Sequence, residues 1–167
     1  MLEKIGEFDE RFTMASRDDS DLEFKLITEK IMILKVDSAI VVHPVRKAAW
    51  SISIREQKKT MYNALLNKKF PDLYRKRIQI NPPYNYYFII LSLIIFIISI
   101  KFELYFLFIV GLISWLLLTI NFIKKRLSST SRSIAHVVEM IVTSLFIRFL
   151  SIYWQCYGAL KYRVLII

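Results

Sequence analysis

The chain has 167 residues, 55% of them hydrophobic and 14% aromatic, with three glycines, one cysteine and a net charge of +10. Such a length suits one ordinary domain of about 100 to 200 residues, and a lone cysteine excludes a scaffold held by internal disulfides. The apolar fraction exceeds the roughly 45–50% usual for soluble domains, so part of the chain requires a non-aqueous environment.

The charge is segregated. Residues 1–37 carry ten acids against six bases, residues 38–83 ten bases against Glu56 and Asp72, and residues 84–123 only Lys101 and Glu103. An acidic head is thus followed by a basic neck, an apolar run and a mixed tail. In the head, residues 2–5 read as a short helix that Gly6 interrupts. Residues 20–30 read as a helix with Leu22, Leu26 and Ile27 on one face, capped by Asp19 or Ser20 and favoured by acids at its N-terminus. Residues 39–42, Ala-Ile-Val-Val, predict a strand ended by His43-Pro44. Helix is expected again over residues 51–67 and 72–78.

The apolar run of forty residues would measure about 60 Å as helix, twice the roughly 30 Å of a bilayer core. Lys at a helix centre costs about 2.5–3.5 kcal/mol, against about 0.3–0.6 returned by each Leu, Ile or Phe. Lys101 and Glu103 are therefore placed at a turn, with residues 83–100 and 102–123 as two antiparallel membrane helices. Pro83 suits a first helical turn, and Tyr84, Tyr86 and Tyr87 form an interfacial belt. Arg75-Lys76-Arg77 before the first crossing and Lys124-Lys125-Arg126 after the second place both flanks, and the head, in the cytoplasm. The basic neck reads as a membrane-surface anchor, each Lys or Arg near anionic lipid contributing about 1 kcal/mol, rather than a nucleic-acid surface.

Over residues 134–158 the polar positions His136, Glu139, Thr143, Ser144, Arg148, Ser151 and Gln155 recur three or four apart. They form one stripe of an amphipathic helix, read as interfacial or partly re-entrant with the stripe hydrated. A crossing there would put Lys161 and Arg163 outside. His136 and Glu139 are one turn apart without further ligands, so no metal site is assigned. Asp19-x-Asp21 is not a calcium loop, since Lys30 stands at its twelfth position. No Gly-rich phosphate loop or nucleophile elbow is present.

Several segments resemble the membrane-anchored family 2 glycosyltransferases. They are Gly6-Glu7-Phe8-Asp9-Glu10-Arg11-Phe12 with Arg17-Asp18-Asp19-Ser20-Asp21-Leu22, then Ala39 to Arg46, and Arg55-Glu56-Gln57-Lys58-Lys59 with Tyr62 to Leu66. Pro71-Asp72-Leu73-Tyr74-Arg75 and Tyr157-Gly158-Ala159-Leu160-Lys161-Tyr162-Arg163 follow in the same order, so the resemblance covers nearly the whole chain. It implies an α/β fragment, the C-terminal part of a GT-A domain over residues 1–50. Basic juxtamembrane helices would follow over 51–83, a transmembrane hairpin over 84–123, and an interfacial helix and tail over 124–167. It further implies sugar transfer from a nucleotide-sugar donor to a lipid-linked or envelope glycan acceptor, in a multi-pass protein of the cell membrane.

By position in the motif, Asp19 is the expected base for the acceptor hydroxyl, with Asp18, where the family usually has Glu, in support. Burial beside Asp18 and Asp21 would raise the pKa of Asp19, as a base requires. Asp21, His43, Arg46, Trp50, Arg55 and Lys58 are the expected substrate-binding residues: His43 toward the donor diphosphate or its metal, Trp50 stacking on a sugar, and Arg46, Arg55 and Lys58 meeting phosphates. The family's donor-binding half carries a D-x-D motif and a divalent metal, Mg or Mn. This chain has no place for that metal, so it is expected to be inactive alone and to need a donor-half polypeptide. The alternative is a non-enzymatic membrane hairpin presenting a basic cytoplasmic surface to a partner.

Overall fold

The computed structural model describes residues 6–34, 36, 38–42, 49–79, 81, 83–128 and 133–164. The expected helix at 2–5 lies outside them. The described residues form helices and no strand: α1 (Asp18–Thr28), α2 (Ile52–Arg55), a 3-10 turn (Glu56–Met61), α3 (Tyr62–Lys69), α4 (Pro71–Arg77), α5 (Tyr84–Lys101), α6 (Tyr105–Leu127) and α7 (Ile134–Tyr162).

The α/β fold is therefore corrected to an all-helical one. Residues 39–42 carry the β-branched composition of a strand, but their hydrogen bonds are local, from Ala39 N–H to the Val36 carbonyl and from Ile40 N–H to that of Ser38. Ile40, Val41 and Val42 are exposed. A strand needs a neighbour to complete its ladder, and no described segment provides one.

The chain divides into two compact units. The first comprises Met1–Ala49, Lys59–Ile80 and Gln155–Ile167. Its core is Phe12, Phe24, Met61, Tyr62, Ala64, Leu65, Leu66 and Tyr74. Six consecutive residues of α3, Tyr62 to Asn67, are buried, so this helix is enclosed on all sides. Phe12 packs on Tyr62 at 5.5 Å between ring centroids, and Phe24 meets Phe70 edge-on at 5.8 Å. Several enclosed polar groups are paired: the Thr13 and Tyr62 hydroxyls lie 2.7 Å apart, Arg17 Nε donates to Asn63 Oδ1 at 2.8 Å, and Tyr74 donates to Gln79 at 2.7 Å. Burial pushes the Tyr74 phenol up to about 12, with Arg17 opposing. The last turns of α7 complete this unit. Gly158 lies flat on the Met61 backbone, and Lys68 donates to the Tyr162 carbonyl at 2.8 Å.

Helix α1 begins two residues before its expected start. Arg17 occupies the N-cap without a side-chain bond, and Asp18 Oδ1 accepts from Ser16 N–H at 2.8 Å. The helix ends at Thr28 with Glu29 as C-cap, and just beyond it Lys30, at a left-handed φ of 56°, lets Ile31 N–H reach the Leu26 carbonyl while its own N–H reaches that of Ile27. The single helix expected over 51–67 is broken into α2, the 3-10 turn and α3.

The second unit comprises Trp50–Lys58 and Asn81–Trp154. Here α5 and α6 pack along their length as a hairpin. Gly111 permits the approach, because a Cβ there would lie 2.8 Å from the Phe96 backbone nitrogen. Phe96 packs on Phe108 at 5.0 Å, and Tyr86 meets Phe122 edge-on at 5.7 Å. The turn falls where Lys101 and Glu103 place it. In the absence of Gly, Glu103 takes the left-handed φ of 52°, and Leu104 N–H closes onto the Ser99 carbonyl at 3.0 Å. Phe88, Leu91, Ile94, Ile97, Phe106, Ile113 and Leu117 face outward, as lipid-facing helices require. With α7, three helices are long and apolar enough to cross a membrane, and the chain is a multi-pass membrane protein by length and composition.

The stripe on α7 is not hydrated as expected. Thr143, Ser144, Arg148 and Ser151 are all buried. Arg126 Nη1 of α6 donates to Thr143 and Ser144 at 3.0 and 2.6 Å, and Arg148 Nη1 donates to Thr119 at 3.1 Å. Hydroxyls and guanidinium groups thus join the helices by hydrogen bonds in apolar surroundings.

Candidate functional site

The acidic motifs of the first unit converge on one lysine. Asp21, in the first turn of α1, is 1% exposed, and both its oxygens face ammonium groups: Lys25, one turn on, at 3.1 Å, and Lys69, from the end of α3, in closer contact. These are ion pairs held by charge, since neither Asp21 oxygen has a partner at hydrogen-bond angle. Lys69 also reaches Asp9 Oδ2 at 2.8 Å. Asp9 is gripped by Arg11 through Nε–Oδ1 and Nη2–Oδ2 at 2.9 and 2.6 Å, with the Arg11 backbone N–H at 3.0 Å. Arg11 and, against the cost of burial, Lys69 hold the Asp9 carboxyl well below the usual carboxylate range, and Asp9 in turn raises the Arg11 guanidinium. Lys25 ties in the preceding turn by donating to the Gly6 and Glu7 carbonyls at 2.9 and 2.6 Å. Gly6, at φ 74°, occupies a conformation that few other residues take.

This network positions the expected catalytic pair. Asp18 is half-buried through its bond to Ser16, whereas Asp19 is exposed at the head of α1. The burial expected around Asp19 is thus not found. An exposed carboxylate on a helix anchored beneath can accept a hydrogen bond or a proton from an arriving hydroxyl. Asp21, expected to bind substrate, is enclosed and faces Lys25 and Lys69.

His43 and Arg46 lie outside the described residues. Trp50, Arg55 and Lys58 belong to the second unit. Trp50 is 59% exposed, Arg55 is exposed at the end of α2, and the Lys58 ammonium lies 5.6 Å from the Trp154 ring, where a cation–π attraction holds it. Ser51, at φ 65°, donates its backbone N–H to Glu139 at 2.9 Å, and Glu139 also lies 3.7 Å from His136.

A divalent cation does not fit the acidic cluster. Two of its carboxylates, Asp9 and Asp21, already face Lys25, Lys69 and Arg11, which supply the positive charge that a metal would. Among the described residues no group of three His, Cys, Asp or Glu could hold a metal ion. Reading the sequence found Asp9 and Asp21 as motif residues but not Lys69, which is far from both along the chain. The only local signal was Lys25, four residues after Asp21. Comparison with protein-family models, curated proteins and solved structures finds no match to this chain.

Proposed function

We propose that this chain is the acceptor-side and membrane-anchoring portion of a glycosyltransferase of family 2, with Asp19 as its base. The carrying observation is the Asp9–Lys69–Asp21 network, which locks the first turn of α1 and leaves Asp19 exposed. An anchor alone has no use for such a construction. In the reaction, the Asp19 carboxylate takes the proton of an acceptor hydroxyl as that oxygen bonds to the anomeric carbon. The bond from that carbon to the nucleoside diphosphate breaks, and the electron pair leaves with the diphosphate. Neutralising that leaving group falls to a donor-binding polypeptide outside these residues, because the cluster here is already neutralised by lysine and arginine.

The membrane orientation belongs to the same reading. Only six residues separate α4 from α5, about 21 Å fully extended, too short to span a bilayer of about 30 Å. No crossing is therefore assigned between α4 and α5. The last turns of α7 pack on α3, and α7 begins where α6 ends. Two crossings by α5 and α6, with α7 at the membrane surface, agree with this short connection, and the flanking Lys and Arg favour the cytoplasmic face.

The test is nucleotide release from a sugar-nucleotide donor by membranes holding this chain together with a candidate donor-binding polypeptide. Asp19→Asn should abolish release while leaving the chain inserted. Undiminished turnover in Asp19→Asn refutes the base assignment. The competing non-enzymatic anchor predicts partner retention that is equally indifferent to Asp19 and to Asp21.

A further inference from the structure

Among the described residues no carboxylate is paired with the buried Arg148 of the second unit. Arg148 is 1% exposed in the middle of an apolar helix, and among the described residues its only hydrogen bond runs from Nη1 to Thr119, leaving Nε and Nη2 without partners. A desolvated donor of this kind is costly unless something accepts from it, and an ionisable residue buried in an apolar membrane helix points by default to a functional site. Arg126 adds a second guanidinium, half-buried and reaching Thr143, Ser144 and the Met140 carbonyl, the last at 3.3 Å. Both groups lie over one ring: Phe122, at 5.9 Å for Arg126 and 4.5 Å for Arg148.

The depth of the site follows from Tyr86. This residue is in the first turn of α5 and packs edge-on against Phe122. An amphipathic aromatic at the start of a crossing lies at headgroup level, so the two arginines converge where lipid phosphates are found. Paired planar forks with buried hydroxyls beside them match the oxygens of a phosphate group, which takes parallel N–H bonds from arginine.

We propose that Arg126 and Arg148 form a binding site for a phosphate group, supplied at this depth by the headgroup of a membrane lipid. The site stands independently of the transferase reading, since a chain with no catalytic role would bind the same group. The test uses the full chain in phosphatidylcholine nanodiscs containing a minor fraction of phosphatidic acid, with the retained phosphatidic acid read by native mass spectrometry. Loss of a charge-assisted fork should weaken retention by about tenfold or more in Arg148→Gln. Arg148→Lys should fall between, and Lys124→Gln, in the adjacent basic run, should leave retention near wild type. Arg126→Gln, at a half-exposed position, carries the same expectation should Arg148→Gln fail to fold. Inorganic phosphate added to the same sample separates the sources: resistance to it assigns the site to lipid, and displacement by it assigns the site to free phosphate. Retention in the two glutamine variants equal to wild type, or reduced no further than by Lys124→Gln, overturns the proposal.

Discussion

Replacing Lys69 with methionine tests whether the acidic cluster holds the first unit together. The substitution preserves the length of the stem and removes the charge that Asp9 and Asp21 share. Asp9 keeps its fork to Arg11 and loses little. Asp21 is 1% exposed and is left with Lys25 alone at 3.1 Å. Removing one partner of a buried ion pair costs about 3–5 kcal/mol when the survivor is left bare. Because Lys25 remains, about 2 kcal/mol is expected here. That corresponds to roughly 30-fold faster opening of the unit. Amide hydrogen exchange, read by mass spectrometry on peptides from α1 and α3, reports this directly, while peptides from α5 and α6 serve as internal controls. Asp21→Asn should cost less, since Lys69 retains Asp9 and Lys25 retains the Gly6 and Glu7 carbonyls. Wild-type exchange in α1 and α3 of the Lys69→Met protein would refute the network as a source of stability.

The same pairing predicts a pH dependence. The Asp9 carboxyl is depressed in the folded chain, so its contribution is complete above the unfolded carboxylate value of about 4 and is lost as pH falls below it; exchange in α1 should accelerate there in wild type and flatten in Asp9→Asn. Gly158→Ala should loosen the contact between α7 and α3, because the added Cβ would run into the Met61 carbonyl. A cost of about 1–3 kcal/mol, typical of overpacking, should appear as exchange in α3 but not in the hairpin. Cys156, the single cysteine, is exposed near the end of α7. With α7 at the cytoplasmic surface it should resist a membrane-impermeant maleimide in intact cells and react after permeabilisation, whereas labelling of intact cells would indicate that α7 crosses.

Residue order alone determined the membrane hairpin. Its helices were expected over 83–100 and 102–123 and are found at Tyr84–Lys101 and Tyr105–Leu127, because lipid rewards each apolar residue where it stands and Lys101 and Glu103 cannot lie mid-crossing. The acidic start of α1 was legible for the same kind of reason, since helix dipole and charge act within one turn. Only tertiary structure decided the rest. The β-branched run at 39–42 found no neighbouring strand, and a ladder cannot form from one edge. The pairing of Asp21 with Lys69, distant in sequence, is visible only in the fold. The polar stripe of α7 looked hydrated until Thr119 and Arg126 covered it. Local hydrophobicity and charge act over a few residues and can be read in order along the chain. Which charges are buried together depends on segments that meet only when the chain has folded.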